Sequence, residues 1–106
     1  MKVAGIGYED RLDVWDNAEG NEDVQINLCR EPENEYDENA IVVYVDGFEG
    51  GYIPRKTAAQ MAPLMDAGML ATVYDHEIER KEKKNGDDYV IVTLSIAVNK
   101  VEIPDE

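Results

Sequence analysis

The sequence predicts a mainly β, α+β domain: a small, closed or nearly closed β-barrel with one or two short helices inserted between strands. Three observations carry this expectation. Short runs of alternating or β-branched apolar residues recur along the chain, a single stretch has helical spacing, and turn-forming residues separate the runs. At 106 residues the chain fits one domain with a modest core, because a domain of this size hides roughly two thirds of its unfolded surface. With 43% apolar and 32% charged residues it has enough Val, Ile and Leu to fold.

The elements follow in order. "KVAGIG", residues 2 to 7, reads as a first strand. Residues 9 to 23, "EDRLDVWDNAEGNED", are rich in carboxylates and poor in periodicity, so a long acidic loop is expected, with Leu12, Val14 and Trp15 turned inward. In "EDVQINLC" Val24, Ile26 and Leu28 alternate with polar neighbours, as on a half-buried strand. Cys29, at its end, reads as a small buried side chain. "REPENEYDEN" then breaks the strand, because Pro32, Asn34, Asp37 and Asn39 are turn formers.

"AIVVYV", residues 40 to 45, is β-branched and ends at Asp46-Gly47, across which "GYI" at 51 to 53 pairs back as a hairpin. In "PRKTAAQMAPLMDAG" Ala58, Met61, Ala62 and Met65 share one helix face. Pro63 lacks an amide hydrogen and clashes with the preceding turn, so one helix is expected to end near Met61 and a second to run from Pro63 to Gly68. The longest signal is the pair "MLATVYDHEIER" and "DDYVIVTLSIAV", joined around Asn85-Gly86, with Val90, Val92, Leu94, Ile96 and Val98 on one face. Residues 101 to 106 read as a tail.

Charge bounds the function. Twenty-four acidic residues against 10 basic ones give a net charge of −14, a field that repels phosphate backbones, so any nucleic-acid binding must be local. The same field suits a basic protein partner. The single cysteine forms no internal disulfide, one histidine makes no zinc spacing, and no apolar run approaches a membrane span; a cytoplasmic protein without membrane association is expected. Gly5-Ile6-Gly7 begins a dinucleotide-like pattern that Asp10 does not complete. With no paired nucleophile and base, metal cluster or phosphate-binding glycine loop, no enzyme activity and no cofactor are expected. Arg80, Lys81, Lys83 and Lys84 form the one dense positive run, suited to a solvated turn or to phosphates.

Two segments sharpen the reading. Arg30-Glu31-Pro32, Tyr36-Asp37 and Asn39-Ala40-Ile41, followed by Gly51-Tyr52-Ile53-Pro54-Arg55, resemble the HIRAN domain over nearly the whole chain. This module occurs alone in bacteria and at the front of Swi/Snf-type DNA helicases. The resemblance implies an OB-like or SH3-like barrel and, in the helicase-linked members, capture of the free 3′ end of single-stranded DNA. Tyr36 and Asp37 match the pair that holds the terminal nucleotide, Tyr8 an aromatic after the first strand, and Arg55 a basic residue near the helix start.

Tyr52 completes the implied nucleic-acid site of Tyr8, Tyr36, Asp37, Tyr52 and Arg55. The chain departs from the helicase-linked pattern at Gly7, where an arginine would contact phosphate, and in the surrounding Glu31, Glu33, Glu35 and Glu38. Two functions remain in view. One is a non-enzymatic binder of a single-stranded nucleic-acid end; the other is an acidic adaptor or DNA mimic for a basic protein. Asp37 and Asn39 also suit plain turn capping, and Tyr36 and Tyr52 suit the cover of a barrel end.

Overall fold

A computed structural model describes residues 1–6, 11–21, 23–82, 84, 86 and 88–99. Seven elements follow one another: α1 (Arg11–Ala18), β1 (Ile26–Arg30), β2 (Ile41–Val45), β3 (Phe48–Tyr52), α2 (Arg55–Asp66), β4 (Leu70–Glu82) and β5 (Asp88–Asn99). The fold is mainly β, as the alternating runs require, with the strands in two antiparallel sheets, β1-β2-β3 and β4-β5.

The N-terminal residues splice the two sheets. An extended chain points successive backbone groups to opposite sides, and residues 1–4 use both. Val3 N–H donates to Val92 O at 2.9 Å and Leu94 N–H to Met1 O at 2.7 Å on the β5 side. Ala4 and Tyr52 exchange both bonds on the β3 side, at 2.7 and 2.9 Å. Within the described residues 1–6 this segment therefore contributes two isolated bridges, Lys2 to Thr93 and Ala4 to Tyr52, in place of a full strand. At the other end β1 lies against β4, but no ladder joins them among the described residues, so the sheets do not close into a barrel.

β2 is the central strand of its sheet, and Ile41, Val42, Val43 and Val45 are buried on it. Of these, Ile41, Val43 and Val45 meet Val90, Val92 and Leu94 of β5, Ala58 and Met61 of α2, and Val3, Ile53 and Trp15 in one core. The β2–β3 turn has Asp46 at φ 50° and Gly47 at φ 87°, the left-handed pair that matches strand twist in tight hairpins. Asp46 also fastens this turn to the start of β1, its N–H donating to Gln25 O at 2.7 Å and its Oδ1 accepting from Gln25 N–H at 2.8 Å.

Three further expectations are corrected. The segment 9–23 is not a long loop throughout, since Arg11–Ala18 is helical. Trp15 is fully buried, its Nε1–H donates to Gly50 O at 2.8 Å, and Ala18 is buried a turn later, so burial against β3 stabilises a helix that its own periodicity barely announces. Arg80 of β4 pairs with Asp16 and Glu19 and removes part of the carboxylate repulsion along it.

Pro63 does not divide the second helix: α2 runs unbroken from Arg55 to Asp66 with Pro63 inside. The proline forfeits one backbone bond, yet Ala58, Met61 and Ala62 are buried on one face and Ala67 N–H still donates to Pro63 O at 3.0 Å. Cys29 is exposed, not buried, because Ile26, Leu28 and Arg30 take the inward positions of β1. Among the described residues no helix is long and apolar enough to cross a membrane.

Candidate nucleic-acid interface

The polar loop between β1 and β2 is held by its own side chains. Asn34 Oδ1 accepts from the N–H groups of Tyr36 at 2.9 Å and Asp37 at 3.0 Å, and Asp37 Oδ1 accepts from Asn39 N–H at 2.9 Å. Such Asx contacts fix a loop without regular structure. From the strand end Arg30 reaches across it, donating through Nη1 to Ala40 O at 2.8 Å and through Nη2 to Glu38 O at 3.0 Å. Its Nε and Nη2 also clamp both carboxylate oxygens of Asp66, at 3.0 and 3.1 Å, tying the loop to the end of α2. This bond holds the Asp66 carboxyl below its ordinary value.

The first half of the Arg-Glu-Pro signature thus builds the loop. Glu31 joins it to the sheet: its Oε1 accepts from Tyr52 Oη at 2.8 Å and from Asn34 Nδ2 at 3.0 Å. Burial, then this hydrogen bond, push the Tyr52 phenol from 10.0 up to about 12.

A cleft of about 700 Å³ opens between this loop, β3, the start of α2 and the N-terminal segment. Tyr36, Asp37, Tyr52 and Arg55 all line it. Four of the five residues that the sequence nominates are therefore brought together, from positions up to 19 apart in the chain; Tyr8 lies outside the described residues. Tyr36 presents its side chain to solvent, with 82% of the residue exposed. Its backbone is pinned twice, by Asn34 and by Arg55 Nη2, which donates to Tyr36 O at 3.0 Å. Asp37 divides its carboxylate, Oδ1 serving its own turn while Oδ2 faces Arg55 Nε at 3.5 Å. The turn-capping expectation for Asp37 thus holds through one oxygen, while the other lies on the Arg55 side.

Arg11 is a cleft residue that sequence reasoning missed, whereas Asn34, expected as a turn former, does hold the loop and also lines the cleft. The first turn of α1 lays the Arg11 guanidinium 5.3 Å from the centre of the Tyr52 ring, within cation–π range. Its Nη1 donates to Gly5 O at 2.8 Å, and its Nη2 pairs with Glu49. The pattern Arg11, Val14, Trp15, Ala18 has helical spacing and is the signal that marks it.

Charges of both signs meet at the cleft, where Glu49 pairs with Arg11 and Glu31 accepts from Tyr52. Its charged lining is Arg11, Arg55 and Asp37, a sum of +1, while the chain as a whole carries −14. Glu33, Glu35 and Glu38 are exposed and stand outside the lining. The basic run of the long hairpin is partly neutralised, since Arg80 pairs with α1 and Lys81 with Glu79. Lys83 lies outside the described residues.

The chain matches the HIRAN domain over residues 1–98 of its 106. No curated protein and no solved structure matches it. HIRAN domains are a family of nucleic-acid-binding modules.

Proposed function

The chain belongs to the HIRAN domain family, and from that premise and the cleft we propose a non-enzymatic module that captures the 3′ end of single-stranded DNA. The observation that carries this reading is the meeting of Tyr36, Asp37, Tyr52 and Arg55 in one cleft with a net positive lining. Tyr8 belongs to the same proposed contact set.

Each side chain has a task suited to its chemistry. Tyr36 offers an exposed ring on a backbone hydrogen-bonded at both its N–H and C=O, and stacking of a base on an aromatic face contributes about 1–3 kcal/mol. Among the described residues Asp37 Oδ2 has only an ion-pair contact of 3.5 Å, beyond the usual hydrogen-bond length, and keeps capacity to accept a terminal hydroxyl. An internal phosphodiester brings no such hydroxyl, so this carboxylate favours a strand end. Arg55, with its side chain 74% exposed, turns to phosphate with little desolvation.

Fluorescence anisotropy with labelled oligonucleotides tests the reading. A free 3′-hydroxyl strand is expected to bind roughly 10-fold tighter than the same strand ending in a 3′-phosphate, as one charge-assisted hydrogen bond supplies. Asp37→Asn should erase most of that preference while keeping an acceptor for Asn39 N–H. Equal affinity for the two ends, or none for either, counts against end capture.

A second reading has an observation of its own. All four arginines are already paired within the chain, Arg11 with Glu49, Arg30 with Asp66, Arg55 with Asp37 and Arg80 with Asp16 and Glu19. The −14 surface is thus left to meet a basic protein as an acidic adaptor. Capture of salt-eluting basic proteins by the immobilised chain supports this reading, and their absence removes it.

A further inference from the structure

Resting on the end-capture reading, we propose that Arg11 is a phosphate-binding residue of the cleft, held ready by Glu49, which also competes with the ligand for it. Arg11 does not belong to the five residues that the sequence nominates.

The first support is unspent donor capacity. A guanidinium carries five N–H groups in a planar fork. Among the described residues Arg11 has two acceptors, Gly5 O at 2.8 Å and a Glu49 carboxylate oxygen, and its Nε is buried without a partner. A buried donor left unpaired is unusual enough to need a cause. An oxyanion in the cleft supplies acceptors to this fork, and a phosphate matches it two bonds at a time.

Burial is the second support. The Arg11 side chain is 11% exposed against 74% for Arg55. A charge withdrawn from water is screened less, so one phosphate contact at Arg11 outweighs the same contact at Arg55. Its neighbours orient it without filling the cleft: Tyr52 lies 5.3 Å beneath the guanidinium, and Tyr52 is itself anchored by Glu31 at 2.8 Å. Arg55, in contrast, is shared between the Tyr36 carbonyl and Asp37 on the loop side.

Glu49 gives the proposal a direction that damage to the fold does not imitate. Its carboxylate takes one arm of the fork and cancels the charge a phosphate would meet. Glu49→Gln keeps the shape and an acceptor but removes the competing charge, so it is expected to tighten binding.

The test measures the affinity of the whole chain for a labelled oligothymidylate with a free 3′-hydroxyl across a series of potassium chloride concentrations. Arg11→Gln should weaken binding roughly 10-fold at low salt, the effect of one charge-assisted bond, and lower the slope of log affinity against log salt by about 0.7, one single-strand phosphate. Arg11→Lys should keep the wild-type slope, and Glu49→Gln should raise affinity a few-fold by roughly the worth of a partly screened pair. An unchanged slope in Arg11→Gln, or weaker binding by Glu49→Gln, overturns the proposal and leaves Arg11 as a support for Tyr52. Absence of wild-type binding overturns end capture itself, and with it this role.

Discussion

Three glycines of one hairpin separate two penalties that usually arrive together, and alanine at each makes a graded prediction. Gly47 has φ +87° with nothing within 4 Å of an added Cβ. Gly47→Ala therefore meets only backbone strain, about 1–2 kcal/mol. At Gly50 an added Cβ would stand 2.9 Å from Val45 Cγ2 and 3.1 Å from Trp15 Cζ2. The cost there is overpacking, about 1–3 kcal/mol.

Gly51 combines both effects. Its φ of +139° is glycine territory, and an added Cβ would stand 2.6 Å from Ala4 O and 2.7 Å from Val3 Cγ1. Backbone strain of about 1–3 kcal/mol and a clash of similar size give about 2–6 kcal/mol in total. A domain of this length is stable by only about 5–15 kcal/mol. The blocked contact is also the Ala4–Tyr52 bridge that splices the two sheets beside the cleft.

Urea unfolding followed by Trp15 fluorescence measures the series. Trp15 is the single tryptophan, fully buried, and bonded to Gly50 O at 2.8 Å. The expected order of loss is Gly51→Ala largest, Gly50→Ala intermediate and Gly47→Ala smallest, with similar m values. If Gly51→Ala falls within about 0.5 kcal/mol of Gly47→Ala, a spread typical of neutral surface changes, the close splice at Ala4 is refuted.

Other outcomes follow from the loop and its anchors. Arg30→Lys keeps the charge but loses the fork to Asp66 and the bonds to Ala40 O and Glu38 O, a loss of about 1–3 kcal/mol in unfolding free energy measured by urea denaturation. The Arg30 hydrogen bond lowers the Asp66 pKa from 3.8; this stabilisation is complete above the unfolded value and fades as pH falls through the folded one. Asp66→Asn should thus show a flatter loss of stability in acid, read from urea midpoints across the acid range. Tyr52 has the opposite sign: burial and Glu31 raise its phenol from 10.0 to about 12. Its contribution holds below the unfolded value and is lost as pH climbs from 10.0 to about 12. Ultraviolet titration should show a late-ionising phenol that Tyr52→Phe removes.

Much of the fold was legible because its signals are local. A period of two placed Val90, Val92 and Leu94 inside, the β-branched run 41–45 made the central strand, and Asp46-Gly47 made the hairpin turn. The same period, had it been extended by one residue from Leu28, points Cys29 outward. An apolar preference of the side chain misled where alternation did not.

Helix α1 was hidden for a different reason. Eight residues are too few to hold a helix alone, and its stability comes from Trp15 meeting β3. Helix α2 likewise survives Pro63 because burial of its apolar face outweighs one missing backbone bond.

The residues by themselves determined the strand pattern, the turns and a short roster of cleft side chains, since each depends on chemistry within a few positions. Only tertiary structure decided that Arg11 joins Tyr36, Asp37, Tyr52 and Arg55 at one cleft, and that the lining is positive within an acidic chain. Contacts between α1, β3 and the N-terminal splice span long stretches of sequence. Hydrophobic burial selects them collectively, and no local pattern records which distant surfaces will meet.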